Sequence, residues 1–139
     1  MAGNNSIFLD TSGWIALLNG DDEYHAPALE LLREFRKTRR DLVTTDWVLA
    51  ETGNGLARSP AKIPFLKSIT TLFQSPQSRL IWIQEEILEA ASELYAKIDD
   101  KQWGMVDCAS FVVMQHEGIL EALSADHHFE QAGFRCLLL

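Results

Sequence analysis

Two hydrophobic periods take turns along the chain. Short apolar-rich runs, which read as buried strands, fall at residues 6–9, 42–45, 79–83 ("RLIWI"), 121–125 and 135–138. Between them, apolar positions recur at helical spacing over 13–18, 24–38 (Ala28, Leu31, Leu32 and Phe35), 46–57, 65–73, 85–98 and 106–117. In the helix over 85–98, Leu88, Ala91, Leu94 and Tyr95 are expected to face inward. Pro60 and Pro64 punctuate the chain, so the next helix is expected only after them. Strands alternating with helices predict an α/β fold: a single-domain α/β/α sandwich around a parallel central sheet. No repeat, linker or low-complexity segment interrupts the pattern.

Composition narrows the function classes. The 139 residues are enough for one domain with a real core, and 47% hydrophobic with 23% charged is a globular balance. No apolar run approaches the roughly 20 residues of a membrane span. The opening "MAGNNS" lacks the basic and apolar regions of a signal peptide. Cys108 and Cys136 sit among apolar residues and read as buried free thiols, which fits a reducing cytoplasm. A net charge of −8 argues against a broad nonspecific nucleic-acid surface. It leaves room for a small basic patch, a cation site or a basic partner. The densest basic stretch, "LLREFRKTRRD", carries Arg33, Arg36, Lys37, Arg39 and Arg40. It reads as a solvated helix face, with a phosphate-contacting rim as the alternative.

The acids carry the candidate chemistry. Asp10 ends the first strand, in "IFLDTSGWIALL". Glu51 lies about one and a half turns into the helix after the second strand. Asp107 opens a helix in a stretch of apolar and small residues, and Asp126 follows the strand "EALSA". Alone, each has an ordinary explanation: a turn or helix cap for Asp10, a solvated helix acid for Glu51, a macrodipole partner for Asp107 and a turn residue for Asp126. In an open parallel sheet, however, every strand C-terminus faces one edge, where ligands bind. Carboxylates gathered there repel unless a cation neutralises them. Oxygen ligands without a cysteine pair select Mg²⁺ or Mn²⁺ over Zn²⁺.

Four segments, "IFLDTSGWIAL", "TTDWVLAETGNGLAR", "WGMVDCASFVVM" and "ALSADHHFEQAGF", make the pattern specific. In that order they resemble PIN domains, and most closely the VapC-type toxins of bacterial toxin–antitoxin pairs. The resemblance spans nearly the whole chain and implies one PIN-like nuclease domain over residues 1–139. It implies a Mg²⁺- or Mn²⁺-dependent endoribonuclease that hydrolyses RNA phosphodiester bonds, with Asp10, Glu51, Asp107 and Asp126 as catalytic and metal-binding acids. Ser12 and Ser124 match the family's hydroxyl residues after the first acid and before the last. A small cognate antitoxin and a homodimer are implied as partners, in the cytoplasm and without a membrane. One position departs: Gly104 stands where the family often has Ser, so the helix entry that places Asp107 is expected to be looser.

The same residues bear on two rival readings. A phospho-receiver domain would need an acidic pair at the first strand end and a Lys after the last strand; here Asp10 is followed by Thr-Ser and the chain runs to "CLLL". A catalytically silent PIN-like binding module is the other alternative. Trp14, Trp47 and Trp103 read as core residues rather than base-stacking platforms. Asp99 and Asp100 read as solvated helix-end residues. Adjacent His127 and His128 read as solvated or substrate-facing rather than as zinc ligands.

Overall fold

Five short strands pair in parallel: β1 (Ile7–Leu9), β2 (Leu42–Thr45), β3 (Ser78–Ile81), β4 (Glu121–Leu123) and β5 (Arg135–Cys136), in the order β3-β2-β1-β4-β5. The computed structural model describes residues 5–139; residues 1–4, part of the segment read for a leader, lie outside the described residues. Among these, seven helices connect the strands: α1 (Thr11–Leu18), α2 (His25–Lys37), α3 (Asp46–Gly55), α4 (Lys62–Gln74), α5 (Glu85–Lys97), α6 (Met105–Glu117) and α7 (His127–Gln131). None is long and apolar enough to cross a membrane. The expected α/β/α sandwich is therefore the fold observed.

The chain steps outward from β1 through β2 to β3, then crosses back to place β4 and β5 on the other side of β1. Because parallel crossovers are right-handed, that reversal sends the later helices to the opposite face from the earlier ones. The central strand β1 is consequently covered on both faces, and Ile7, Phe8 and Leu9 are buried. Phe8 packs against Phe129, with centroids 6.1 Å apart, and Phe111 meets Phe129 edge-on at 4.9 Å. Burying each such side chain contributes about 1.5–3 kcal/mol. These rings join β1, α6 and α7, the elements that carry three of the candidate acids.

One glycine is demanded by packing. A Cβ on Gly13 would meet the Leu123 carbonyl oxygen at 2.0 Å, so the first turn of α1 is pressed against the end of β4 in a way no other residue permits. Gly118, in the left-handed region at φ 68°, closes α6 as its C-cap. Cys108 and Cys136 are buried and free, as expected, and burial pushes the Cys136 thiol up to about 11.

Two expectations need correction. Helix α4 starts at Lys62, before Pro64, because a proline in the first turn has no intrahelical hydrogen bond to lose. The face of α5 is turned: Ala91 is buried and Ile87 and Leu94 pack beside it, whereas Leu88 and Tyr95 are 42% and 50% exposed. The apolar stripe of α5 is wider than its contact with α6. Small residues at that contact (Ala91 against Cys108 and Ala109) turn only the Ile87 and Leu94 flank inward. The basic stretch takes the expected solvated reading, and the phosphate-rim alternative does not fit its position. Arg40 donates to Glu121 at 2.7 Å and to the Asn5 carbonyl at 3.1 Å, at the edge where β2 and β4 begin, opposite the edge holding the acids. Arg33, Arg36, Lys37 and Arg39 are exposed, a solvated face.

Candidate active site

Register determines where Asp10 goes. Leu9 pairs with Leu123, so the next residues on the two strands, Asp10 and Ser124, emerge side by side at the C-terminal edge. This is the point where strand order reverses, the place where open α/β sheets bind ligands. Asp10 is only 4% exposed. Its Oδ2 accepts hydrogen bonds from Ser12 Oγ and Ser124 Oγ, both at 2.9 Å. Each hydroxyl is itself aimed by a backbone amide: Ala125 N–H donates to Ser12 Oγ at 2.9 Å, and Asp126 N–H to Ser124 Oγ at 3.0 Å. Although Asp10 occupies the N-cap position of α1, its side chain makes no capping bond, so the simple cap reading fails. Burial pushes the Asp10 carboxyl up to about 6, against the opposing pull of Ser124, Ser12 and the Thr11 N–H, and the Asp126 charge adds to the rise. A carboxylate held this way is ionised at neutral pH at a cost to the fold.

Asp107 and Asp126 converge from two different helix starts. Asp107 Oδ2 accepts the Gly104 N–H at 3.0 Å and so closes the entry of α6 itself. That bond corrects the expectation of a loose entry: Gly104 has ordinary extended backbone at φ −84°, and the acid supplies the anchor that the missing hydroxyl does not. Asp126 caps α7, its Oδ1 accepting the His128 N–H at 2.9 Å. His128 Nδ1 then lies 3.0 Å from Asp107 Oδ2 and 3.5 Å from Asp126 Oδ1. Burial raises the Asp107 pKa, the Gly104 N–H lowers it, and the neighbouring Asp126 raises it further.

The four acids expected from the sequence are thus not equally close. Asp126 is the electrostatic neighbour of both Asp10 and Asp107. Asp107, Asp126 and His128 each offer one ligand atom within 4.8 Å of the others, and Asp10 and Glu51 stand outside that set. Glu51 is exposed on α3 and tied to the start of α1 by Thr11 Oγ1, which donates to its Oε1 at 2.5 Å.

His128 is the residue that sequence reasoning undervalued. The two histidines do point apart: His127 is exposed beside Glu130, while His128 turns inward between the acids. They open a helix rather than lie in an extended segment. Spacing from Asp126 marks only a helix start; the contact with Asp107 comes from another helix. The tryptophans behave as core residues in different degrees. Trp14 is buried and donates to Thr44 Oγ1 at 3.4 Å, and Trp103 stacks edge-on with Phe111 at 4.9 Å while donating to Gln131 in α7 at 2.9 Å. Asp99 and Asp100 are exposed beyond the end of α5.

The donor set suits a divalent cation. Two carboxylates and an imidazole nitrogen meet at a partly open edge, with a buried third carboxylate raised in pKa beside them. A positive charge there would relieve the repulsion that Asp126 exerts on both neighbours.

Comparison with known proteins agrees with this fold. Residues 7–135 match the PIN domain. The chain is 31% identical over 128 residues to the 23S rRNA-specific endonuclease VapC20 of Mycobacterium tuberculosis, in two strains, covering 92% of this chain and 95% of the relative. The crystal structure of M. tuberculosis VapC20, described as a sarcin–ricin loop cleaving toxin, superposes with a TM-score of 0.82 at 31% identity, covering 93% of this chain and 96% of that one.

Proposed function

Because the chain belongs to the PIN-domain family, we propose that it is a metal-dependent endoribonuclease, the toxin of a VapBC-type toxin–antitoxin pair, with Asp10, Glu51, Asp107 and Asp126 as its catalytic acids. The observation that carries this reading is the meeting of Asp107 and Asp126 beside a buried, ionisable Asp10 at the switch point of the sheet. VapC20 acts on 23S rRNA, so a structured ribosomal RNA loop is the first substrate to offer this chain. The alternative of a silent binding module has no support: the relatives of matching length are endonucleases.

A divalent cation, Mg²⁺ or Mn²⁺, supplies charge that offsets the phosphate and makes water more acidic. The chain's own residues do the rest. Asp107 is fixed by the Gly104 N–H, and Asp126 by the His128 N–H, so two oxygens are presented from rigid helix starts. Asp10 contributes a buried negative charge whose position is fixed by two serines. Glu51, exposed and held by Thr11, is assigned to the attacking water. With a net charge of −8, the protein cannot attract RNA at long range, so binding depends on the cation and on local donors.

The antitoxin reading is supported by an apolar groove of about 340 Å³ between α1, α2 and α4, where Trp14, Leu17, Leu32 and Leu72 meet Arg36 and Lys67. It suits an apolar helix, while a basic residue of the same partner would enter the acidic site. Exposed Leu88 and Tyr95 support self-pairing as a homodimer, and RNA as substrate fits a cytoplasmic protein. The test is direct. Purified protein should cleave RNA with Mg²⁺ or Mn²⁺ and not in EDTA, and the folded Asp10→Asn variant should not cleave. Wild-type cleavage by that variant would sink the assignment. In the cell, this chain alone should arrest growth, and co-expression with its small neighbour should restore it.

A further inference from the structure

The geometry points to His128 as a metal ligand: its Nδ1 joins one oxygen each of Asp107 and Asp126 in a nitrogen-containing site that takes Mn²⁺ in preference to Mg²⁺, an inference that rests on the metal-dependent reading above. Adjacent ligands of a six-coordinate ion of this size lie about 3 Å apart. The Nδ1 to Asp107 Oδ2 separation is 3.0 Å and the Nδ1 to Asp126 Oδ1 separation is 3.5 Å, so small shifts place all three atoms on one face of such an ion. All three side chains are partly exposed, at 29%, 16% and 34%, which leaves the remaining positions open to water or phosphate.

His128 is also held where a ligand must be held. Its N–H is bound to Asp126 Oδ1 at 2.9 Å. The next residue, Phe129, is fully buried against Phe111 of α6, the helix that carries Asp107. Gln131, one turn further, accepts from Trp103 just before α6. Imidazole and carboxylate are therefore fixed on two helices locked together by their own core. Ligand chemistry gives the selectivity. Mg²⁺ binds through oxygen and keeps its waters, whereas imidazole nitrogen is a ligand for transition ions. Mn²⁺ accepts the carboxylate positions and the nitrogen together.

Pulsed electron paramagnetic resonance of the protein loaded with Mn²⁺ tests this without reference to cleavage. Nitrogen hyperfine modulation from imidazole is expected in the wild type and in His127→Gln, whose side chain is 73% exposed and faces Glu130 rather than Asp107 or Asp126. It should vanish in His128→Gln. That variant should bind Mn²⁺ about tenfold or more weakly, with Mg²⁺ affinity changed less than about threefold. Bound Mn²⁺ without nitrogen coupling in the wild type would overturn the role of His128 and leave the metal-dependent reading standing. Failure to bind Mn²⁺ at all would overturn both. If His128→Gln does not fold, His128→Asn replaces it, and a wild-type spectrum without nitrogen coupling overturns the role of His128 without any variant.

Discussion

Replacing Asp10 with Asn should stabilise the metal-free protein at neutral pH and leave it unchanged in acid. Asn keeps the volume and an oxygen to accept from Ser12 and Ser124, and removes only the charge. The native carboxyl is raised from 3.8 to about 6. In that window the native state binds a proton that the unfolded chain has released, so stability falls as pH rises through it and levels off above. A gap of this size, at about 1.4 kcal/mol per pH unit, corresponds to about 3 kcal/mol lost by neutrality. The Asn variant lacks that loss. Near pH 7.5 in EDTA its melting temperature should lie about 8 °C above wild type, shrinking towards zero near pH 4. The raised Asp107 is present in both proteins and cancels in the difference. Thermal melts followed by tryptophan fluorescence across this pH range measure it. An Asn variant less stable than wild type at neutrality, or a difference independent of pH, would refute the account of a strained buried charge.

Other substitutions test separate parts of the site. Adding Mn²⁺ should raise the melting temperature of wild type, by about 2.7 kcal/mol of stabilisation at a hundredfold excess over Kd, and Asp107→Asn should largely remove the shift in the same melts. Gly13→Ala forces a Cβ onto the Leu123 carbonyl and should cost about 1–3 kcal/mol in a denaturant titration, with cleavage reduced as well. Glu51→Gln should leave stability within about 0.5 kcal/mol, because the residue is exposed, while lowering the cleavage rate with RNA. Gly104→Ser meets only the Asp107 Oδ2, at 4.0 Å, and should move the melting temperature by no more than about 2 °C.

Strand β2 was legible to the residue, because an apolar run ended by Thr-Thr-Asp marks both a buried strand and the helix capped after it: Thr45 accepts from Val48 N–H at 3.1 Å. The position of Asp10 was legible for the same reason. Helix faces were less so. In α5 two apolar flanks share the stripe around Ala91, and only the close approach of α6 decides which is buried. His128 was hidden because its meaning lies in a partner 21 residues earlier, on another helix. Sequence spacing reports a residue's own helix; it does not report what the neighbouring helix brings to it. The serines around Asp10 were matched by resemblance; of the amides that aim their hydroxyls, Ala125 N–H reaches Ser12 through the pairing of β1 with β4, and Asp126 N–H reaches Ser124 within its own turn.

The bond from Ser124 to Asp10 spans 114 residues. During synthesis, a chain grown as far as α6 already contains Asp10, Glu51 and Asp107, yet has nothing to pair with the open side of β1. Contacts this distant form only after their loop closes, and parallel pairing is slow for that reason. The nascent chain therefore lacks a complete site until β4, Asp126 and α7 have been made. On the nuclease reading proposed above, topology then acts as a clock. Chains arrested on the ribosome at increasing lengths should acquire nuclease activity in one step, after the segment carrying Ser124 to β5 has emerged, rather than gradually.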